Sequence, residues 1–561
     1  MTLAEAAPSP APAGTDAPDL LPLTAAQHGI WNAQRLEPDS PYYVVGDVLE
    51  IVGDTVVDVD ALRAAITRTV AEAGSLRLRV VETPDGPRQW IDDAAAPEPE
   101  VVDLRGEADP RAAAEAAVVV ERARLAAECA GMTDRDLFAF RVLRLSDTEA
   151  WYTQLGHHLV FDGYSAAMLS RRVAAHYTAL VSGAEPPKSP FGSFAEFVAA
   201  DQEYRASERH EADRAYWRDE LTPLPELPDR PGVDGPAGAV HVARTELSSD
   251  VVDALRRVAD ESGTTWGEAL IACYAAFLHR TLGESDVVFA MPLMCRSGGV
   301  ALRTPAMAVN VLPLRIAVRA EDRLADLSTR VAETMRRMRK HQRYRGEDLP
   351  RDLGAPNVGA LLHGRGINLK AFDLTLDFAG SAGTMRNVAG GPPEDYGLSV
   401  IPTSGAGSGA SGPNRSGAGS GASGPNQGGA GSGASGPNQG GVEGGAGGDG
   451  LLLGFEVDAR SATQEQVQGR LDAVTTLITE LSSPAAPAVG EVELVPEDLR
   501  TALIEGSRTA ESAHPAQDVP AALDAQARRA PAALALVHGA ERLTFGELAD
   551  RVHRTARLLR A

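Results

Sequence analysis

The sequence has few lysines, few cysteines and no excess of positive charge, and these shortages remove several classes of function. Acidic residues outnumber basic ones by 77 to 53, which gives a net charge of −24. A protein this acidic is a poor match to the phosphate backbone, so we expect no nucleic-acid binding. Only three basic residues are lysines: Lys188, Lys340 and Lys370. We attribute this shortage of lysine to coding bias in a GC-rich genome.

The chain also lacks the features of a disulfide-bonded, secreted or membrane protein. Its three cysteines are far apart and form no CxxC pair, so we expect free buried thiols and neither a disulfide framework nor a zinc site. No apolar run reaches about 18 residues, the length that crosses a bilayer. Residues 1–19 lack the basic start and apolar centre of a signal peptide and are expected to form a flexible leader. We therefore expect a soluble, cytoplasmic protein.

The composition is that of a large globular protein. Hydrophobic residues make up 43% and charged residues 23% of the 561 positions, which is enough apolar material for more than one core. Helical and strand-like patterns alternate along the chain, so we expect an α/β fold with two lobes in series, residues 20–190 and 191–490. Residues 491–561 change character and are too few for a domain of their own.

A segment rich in glycine and serine interrupts the second lobe at residues 404–449. The twelve-residue unit GAGSGASGPNQG occurs twice at 417–440, after a variant of it at 405–416. Alanine is its only apolar residue, so the repeats cannot stack as a solenoid, and we expect a flexible coil. The flanks YGLSVIPTS and GLLLGFEVDA are strand-like, which places the coil at a hairpin tip as an expansion in a tolerant loop. A role in docking a partner is the alternative.

The most informative stretch is HHLVFDG at residues 157–163. The preceding pattern predicts a strand through WYTQLGHHLV, on which His157 and His158 point to opposite faces. One ring can then be buried and fix the strand end, while the other projects into a cleft. Asp162 and Gly163 end the strand, and Gly163 permits a close backbone approach or a positive φ.

A helix is predicted directly after this turn, with Ser165 as its N-cap and Gly183 as its end. The first amides of such a helix point back toward the turn, where they can stabilise negative charge. A ring that accepts a proton beside free amides is the arrangement that acyl transfer requires. A lone histidine is more often structural than catalytic, but a chance HHxxxDG is expected in only about one chain in a thousand.

HHLVFDG resembles the HHxxxDG signature of the condensation domains of nonribosomal peptide synthetases. Further stretches resemble motifs of the same family: LTAAQHGIW (23–31), YWRDEL (216–221), MPLMCRSGG (291–299), AVNVLPLRI (308–316) and RKHQRYRGEDLPRDLG (339–354). INLKAFDLTLDFAG (367–380) and the KHQRY stretch are particularly similar to enterobactin-type members. The resemblance covers residues 20–490, whereas LTFGELADRVHRTARLLR resembles the start of an adenylation domain and is expected to be truncated at Ala561.

The resemblance implies two lobes of chloramphenicol-acetyltransferase type, arranged as a V-shaped pseudo-dimer with a central tunnel. It implies that His158 is the catalytic histidine and that His157 supports it. It also implies that Asp162 pairs with Arg296 of the second lobe. Such a pair would hold the turn and take no part in chemistry, since an unpaired carboxylate at the tunnel edge is costly. Contacts with substrate are expected from three further residues: Tyr164, Ser165 and Asn310.

The implied reaction is the aminolysis of a thioester. Phosphopantetheine arms of two carrier proteins would bring a donor acyl group and an acceptor aminoacyl group from opposite faces, and the amine would attack the donor carbonyl. His158 would either remove a proton from the amine or orient it, and the Gly163 amide would stabilise the oxyanion. Thioesters are already reactive, so positioning would supply much of the acceleration. No metal or soluble cofactor is implied.

The order of the motifs leads to expectations about partners. With no carrier domain ahead of residue 20, we expect the donor, an aryl or short acyl group, to arrive in trans on a carrier protein. The expected acceptor is the amino acid that the downstream adenylation domain activates. Two alternatives remain: a starter domain that uses an acyl-coenzyme A, and a non-catalytic platform that recruits a tailoring enzyme. An epimerization domain would follow a carrier domain, and a heterocyclization domain would replace the histidines.

Overall fold

The computed structural model describes most of the chain. It covers residues 19–93, 97–224, 240–296, 298–355, 357–362, 364–370, 375–391, 396–404, 448–495, 497–507, 518–539 and 541–560. The expected leader, apart from Asp19, and the repeats at 405–440 lie outside the described residues. The described chain divides into two compact units, Met1–Leu494 and Val495–Ala561.

The larger unit begins with a run of strands and helices that surrounds the HHxxxDG stretch. In chain order these are β1 (Leu21–Pro22), α1 (Ala25–Leu36), β2 (Val44–Val52), α2 (Val59–Glu72), β3 (Leu78–Thr83), β4 (Gly86–Ile91), β5 (Glu100–Asp103), α3 (Pro110–Cys129), β6 (Phe138–Arg144), β7 (Glu149–His157), α4 (Gly163–Ser182), α5 (Phe194–Arg205) and α6 (Glu208–Glu220).

The rest of the larger unit supplies a second run of elements. They are β8 (Val240–Leu247), α7 (Ser249–Ser262), α8 (Trp266–Leu282), β9 (Asp286–Leu293), β10 (Asn310–Ala317), α9 (Leu324–Arg339), α10 (Leu349–Leu353), α11 (Asn357–Leu362), β11 (Arg365–Leu369), β12 (Thr375–Phe378), β13 (Ser381–Ala389), β14 (Tyr396–Ser404), β15 (Gly448–Asp458) and α12 (Gln464–Ser482).

Each of the two lobes is built on a six-stranded sheet. The first sheet has the order β12-β13-β2-β7-β6-β5, and the second has the order β10-β9-β11-β14-β15-β8. A small sheet, β1-β4-β3, completes the first lobe. The strands β14 and β15, which flank the glycine-rich repeats, pair antiparallel with Leu398 opposite Phe455.

The hydrophobic cores follow these two sheets. One core fills the second lobe and includes Trp217, Phe289 and Phe455. A second lies between the first sheet and its helices, and a smaller one lies on the other face of that sheet around Trp151. Since α5 contributes Phe194 to the first core and α6 contributes Trp217 to the second-lobe core, the lobe boundary falls after α5, later than the predicted boundary at residue 190.

The prediction of two lobes strictly in series is wrong for one segment. Residues 375–389 lie late in the chain, but β13 pairs antiparallel with β2 of the first sheet, with Thr384 opposite Glu50. β12 pairs in turn with β13. INLKAFDLTLDFAG therefore does not form one strand: its start is β11 of the second sheet, and its end is β12 of the first.

A polar cluster lies where this crossing segment meets the first sheet. Asn387 pairs with Asp47 beside an irregularity of the strand between Asn387 and Ala389. Its Nδ2 donates to the carbonyl of Gly46 at 3.1 Å and to Oδ1 of Asp47 at 3.0 Å. Nζ of Lys370, which follows β11, donates to Oδ1 of Asn387 at 2.7 Å. Burial raises the pKa of the Asp47 carboxyl, although Asn387 and Lys370 oppose this effect. The cluster thus links the two sheets through one amide side chain.

The smaller unit contains α13 (Glu497–Ser507), α14 (Val519–Arg529), β16 (Leu534–His538), β17 (Glu541–Thr544) and α15 (Phe545–Arg560). The two strands form an antiparallel hairpin. In the part of the chain that the structure describes, no helix is both long and apolar enough to cross a membrane.

The cluster at the crossing segment makes a prediction about stability. Asn387→Leu leaves the buried Asp47 carboxyl and the Lys370 ammonium without their shared partner, so we expect the free energy of unfolding to fall by about 2 kcal/mol. Thr384→Leu, at an exposed position of the same strand, should change it by less than about 0.5 kcal/mol. Urea unfolding followed by circular dichroism measures both. Equal stability of the two variants would contradict the linking role of Asn387.

Candidate active site

The HHxxxDG stretch forms a tight connection from β7 to α4. β7 ends at His157, so His158 lies in a turn. The sequence pattern predicts a strand at His158, and this prediction is wrong. α4 begins at Gly163, and its N-cap is Asp162, whose side chain accepts a hydrogen bond from the amide of Ser165. The prediction of Ser165 as N-cap is therefore wrong, because the N-cap lies three residues earlier, at Asp162. The predicted end is confirmed: Gly183 caps the helix with a φ of 69°.

His157 is buried, and both of its ring nitrogens have partners. Nδ1 accepts a hydrogen bond from the amide of Leu159 at 3.2 Å, so this nitrogen carries no proton. Nε2 therefore carries the proton and donates it to Oε1 of Gln34 at 3.1 Å. Burial, together with the neighbouring His158, lowers the pKa of His157 to about 3, which keeps the ring neutral.

His158 is only half-buried, and its contacts leave one nitrogen open. Its backbone amide donates to the carbonyl of Tyr43 at 2.7 Å, and Nδ1 lies 3.1 Å from the carbonyl of Phe161. A carbonyl only accepts, so Nδ1 carries the proton and Nε2 keeps a lone pair. Nε2 has no hydrogen-bond partner among the residues that the structure describes. Burial lowers the pKa of His158 below its ordinary value, and the charge of Asp162 and the Phe161 carbonyl only partly oppose this.

The path of the turn depends on a close approach between a glycine and an aromatic ring. A Cβ on Gly156 would lie 2.2 Å from Cε1 of Phe161. Only glycine leaves room for this ring, which is buried in the first-lobe core. The packing of Phe161 places its carbonyl where it accepts the proton of His158 Nδ1.

Asp162 and Arg296 form an ion pair between the two lobes, and both side chains are fully buried. Nη2 of Arg296 lies 2.9 Å from Oδ1 and 3.0 Å from Oδ2 of the carboxylate. Oδ2 also accepts from the amides of Ala308 and Val309, at 3.0 and 3.2 Å. Burial alone would raise the pKa of Asp162, but Arg296 and these donors hold it below its ordinary value.

Arg296 has several further acceptors in the segment that follows it. Nη1 donates to the carbonyls of Ala301 and Thr304, at 2.7 and 2.8 Å, and Nη2 donates to that of Ala306 at 2.6 Å. One guanidinium therefore fixes the path of residues 301–306 and neutralises Asp162. The ring of Tyr164 lies 4.7 Å from the guanidinium carbon.

Ser165 does not have the substrate-binding role predicted for it. Its side chain is fully buried, and its hydroxyl lies 2.8 Å from Oδ1 of Asp162 and 2.8 Å from the carbonyl of Ala306. The hydroxyl also accepts from the amide of Ala306 at 2.9 Å. These contacts leave no face of the side chain for a substrate. Ser165 instead joins the first turn of α4 to the second lobe by hydrogen bonds.

Asn310 likewise has a structural role in place of the predicted substrate contact. It is completely buried, and Nδ2 donates to the carbonyls of Gln342 and Tyr344 at 2.8 and 2.6 Å. Its Oδ1 accepts from the amide of Gly346 at 3.1 Å. The amide thus holds the segment 342–346 against the start of β10.

Besides His158, two predicted site residues are accessible. Gly163 is exposed as the first residue of α4 and does not take the positive φ that the sequence had allowed. Its amide has no hydrogen-bond acceptor in the described part of the chain. Tyr164 is half-buried, and its hydroxyl donates to the carbonyl of Leu302 at 3.3 Å.

Sequence reasoning missed the contribution of α1 to the site. Gln27 and Gln34 are both buried on this helix, seven residues apart, with Trp31 between them. Nε2 of Gln27 donates to the carbonyl of Leu159 at 3.2 Å, and Gln34 contacts His157. Two glutamines on the buried face of an amphipathic helix were the available signal, because buried amides need hydrogen-bond partners.

The geometry combines a neutral imidazole with an open nitrogen and an adjacent helix start. Such a site can accept a proton at Nε2 of His158 and can stabilise negative charge near the Gly163 amide. Within the described ranges, no group of three or more His, Cys, Asp and Glu side chains is arranged to hold a metal ion.

Comparison with known families gives an independent result. The family model described as "Condensation domain" matches residues 18–366. The isonitrile lipopeptide synthase of Streptomyces coeruleorubidus is 38% identical over 395 residues, which is 69% of this chain and 26% of that protein. Enterobactin synthase component F of Escherichia coli O157:H7 is 33% identical over 386 residues, which is 68% of this chain and 29% of that protein. The chain therefore spans less than a third of these relatives.

Solved structures give the same fold. The first condensation domain of the calcium-dependent antibiotic synthetase is 30% identical, with a TM-score of 0.67, over 85% of this chain and 99% of that one. A starter condensation domain of rhizomide synthetase, solved with C8-CoA and Leu-SNAC, is 28% identical, with a TM-score of 0.69, over 85% of this chain and 98% of that one. The predicted fold class, two lobes of chloramphenicol-acetyltransferase type, is confirmed.

The inter-lobe pair makes a prediction about both folding and rate. Asp162→Ala leaves a buried guanidinium without its counter-charge, so we expect a loss of about 3–5 kcal/mol in the free energy of unfolding as well as a lower rate. Asp93→Ala removes a surface pair with Arg77 and should cost less than about 1 kcal/mol. Chemical denaturation compares the two variants. An Asp162→Ala protein with full stability and only slower chemistry would contradict the structural role of Asp162.

Proposed function

We propose, because this chain belongs to the condensation-domain family of nonribosomal peptide synthetases, that it joins a donor acyl thioester to the α-amine of an acceptor aminoacyl thioester. The observation that carries this proposal is the open Nε2 of His158, held neutral beside the start of α4. In the reaction the amine nitrogen attacks the donor carbonyl carbon. An amide C–N bond forms, the C–S bond breaks, and the sulfur leaves as a thiol on the donor arm.

His158 acts on the proton of the attacking amine. Since Nδ1 donates to the Phe161 carbonyl, Nε2 accepts a hydrogen bond from the amine and takes its proton as the amide forms. The proton then passes to the leaving sulfur. His157 stays neutral, so it does not add a second positive charge beside His158 when that ring is protonated.

The backbone amide of Gly163 stabilises the developing oxyanion in this proposal. It is the first amide of α4, where the helix dipole is positive, and the side chain of Asp162 binds the later amide of Ser165 instead. Asp162, Ser165 and Arg296 keep this helix start in place and do not contact the reacting atoms. Tyr164, beside the guanidinium of Arg296, is the remaining candidate for a substrate contact.

The proposed partners follow the family resemblance. Phosphopantetheine arms of a donor carrier protein and an acceptor peptidyl carrier protein hold the two substrates as thioesters. Similarity to enterobactin synthase component F supports an aryl or short acyl donor and a siderophore-like product. We assign the unit Val495–Ala561 to a linker and the first part of an adenylation domain. This assignment rests on the resemblance of LTFGELADRVHRTARLLR, which forms the end of β17 and all of α15.

A starter reaction is the second candidate. The rhizomide synthetase neighbour is a starter condensation domain solved with C8-CoA. By analogy, a coenzyme A thioester would replace the donor carrier here, with the same attack and the same role for His158. A non-catalytic platform is disfavoured, since His158 and its open nitrogen are retained.

The test is intact-mass spectrometry of a serine-loaded acceptor carrier protein mixed with this chain and a donor carrier bearing an aryl thioester. We expect the acceptor to gain the mass of the acyl group, and His158→Ala to slow this at least about 100-fold, the usual scale of acid–base catalysis. His538→Ala, which removes an exposed histidine of the smaller unit, should leave the rate unchanged.

The remaining outcomes decide between the alternatives. A gain that persists at full rate in His158→Ala would keep condensation and remove His158 from its chemistry. A gain only with an acyl-coenzyme A would establish the starter reaction. No gain across a panel of donors and acceptors would overturn the proposed catalytic function.

A further inference from the structure

We propose that Gln34 is a positioning residue for condensation, which fixes the tautomer of His157 and thereby the turn that presents His158. This inference rests on the proposed function of His158. Gln34 lies on α1, far from the HHxxxDG stretch in sequence, and its hydrogen bond to that stretch is made with the ring of His157. No direct contact between Gln34 and a substrate is required.

Helix α1 holds the turn at two points. Gln27 donates to the carbonyl of Leu159, and Gln34 accepts from the ring of His157. The two glutamines are seven residues apart, so they lie on the same face of the helix, about 10 Å apart along its axis. Helix α1 therefore fixes the positions of both the Leu159 carbonyl and the His157 ring.

The orientation of the Gln34 amide is fixed by more than one contact. Its Nε2 donates to the carbonyls of Glu37, Pro38 and Ser40, at 3.1, 2.9 and 3.3 Å. Carbonyl groups only accept, so the NH₂ group must face them and Oε1 must face His157. A flipped amide would set oxygen against three carbonyls and NH₂ against the Nε2–H of His157.

This orientation selects one state of His157. Nδ1 already accepts from the amide of Leu159, and Oε1 of Gln34 accepts the only ring proton at Nε2. A second proton on Nδ1 would point at the Leu159 N–H group, so the charged form has no place in the site. The low pKa of the buried ring agrees with this geometry.

The same side chain also controls the segment that holds the backbone of His158. The carbonyls bound by Gln34 belong to residues 37–40, and the chain continues from there to Tyr43. The Tyr43 carbonyl accepts the amide of His158 at 2.7 Å. Gln34 therefore acts on the presentation of His158 from two directions, through the ring of His157 and through residues 37–43.

The test compares Gln34→Met with Asn32→Met, which lies at an exposed position of the same helix. Methionine is about as long as glutamine but lacks its amide donor and acceptor. We expect Gln34→Met to lower kcat at least about tenfold and to change the KM of either carrier substrate less than about threefold. Asn32→Met should match the wild type. Gln34→Glu, which is neutral in its protonated form and then offers both an acceptor and a donor, should recover part of the lost kcat.

Two further measurements separate positioning from simple loss of structure. With ¹⁵N-labelled histidine, the wild-type ring of His157 should show only its Nε2–H tautomer. Gln34→Met should add a minor population with the proton on Nδ1, because the Leu159 amide then opposes that tautomer without Gln34. In a His157→Asn background, Gln34→Met should lower kcat by a smaller factor than it does in the wild type, because the path through the ring is already absent and the path through residues 37–43 remains.

The outcomes distinguish this inference from the function on which it rests. A wild-type chain that forms no amide would overturn the proposed function, while the tautomer measurement would still report on Gln34. An active wild type with unchanged kcat in Gln34→Met would overturn the positioning role. If Gln34→Met fails to fold, Gln34→Glu provides the test. If His157 keeps its Nε2–H tautomer in Gln34→Glu and kcat still falls below a tenth of the wild-type value, the proposal is contradicted.

Discussion

A carboxylate and a guanidinium without access to water hold this site together. Asp162 is the N-cap of α4 and pairs with Arg296, while three carbonyls of residues 301–306 accept from the same guanidinium. The desolvation of such a pair is offset only when further hydrogen bonds surround it. Here Ser165, Ala308 and Val309 complete the carboxylate, whereas Nε of Arg296 has no partner in the described part of the chain. The pair thereby fixes the start of a helix and joins two lobes with separate cores.

The rest of the site depends on that fixed helix start. Because α4 begins at Gly163, the turn from His157 to Asp162 has no freedom at its C-terminal end. Its N-terminal end is set by β7 and by the glutamines of α1, and its middle by the ring of Phe161 against Gly156. His158 lies between these constraints with one nitrogen bound to a carbonyl and the other open, which is how the fold turns an ordinary histidine into a neutral proton acceptor.

Local patterns in the sequence predicted much of this arrangement. The position of HHxxxDG between a strand and a helix, the end of α4 at Gly183 and the two-lobed α/β fold are consequences of periodicity, capping and motif resemblance. What failed was non-local. The pairing of β13 with β2 joins residues more than 300 positions apart, and no local pattern in either strand indicates which strand it pairs with. Ser165 and Asn310 sit in motifs beside the site, but whether a polar side chain faces a substrate or a carbonyl depends on packing that motifs do not encode.

The most direct test of the account is the protonation state of His158 itself. Nitrogen-15 shifts of the ring, assigned by comparison with His158→Ala, should be followed from about pH 8 to pH 5. Because the folded site disfavours the charged ring, the account predicts a neutral form with the proton on Nδ1 at pH 7 and a midpoint below the ordinary value of 6.5. A proton on Nε2, or a ring already charged at pH 7, would contradict it, since neither form has a lone pair on Nε2 for the attacking amine.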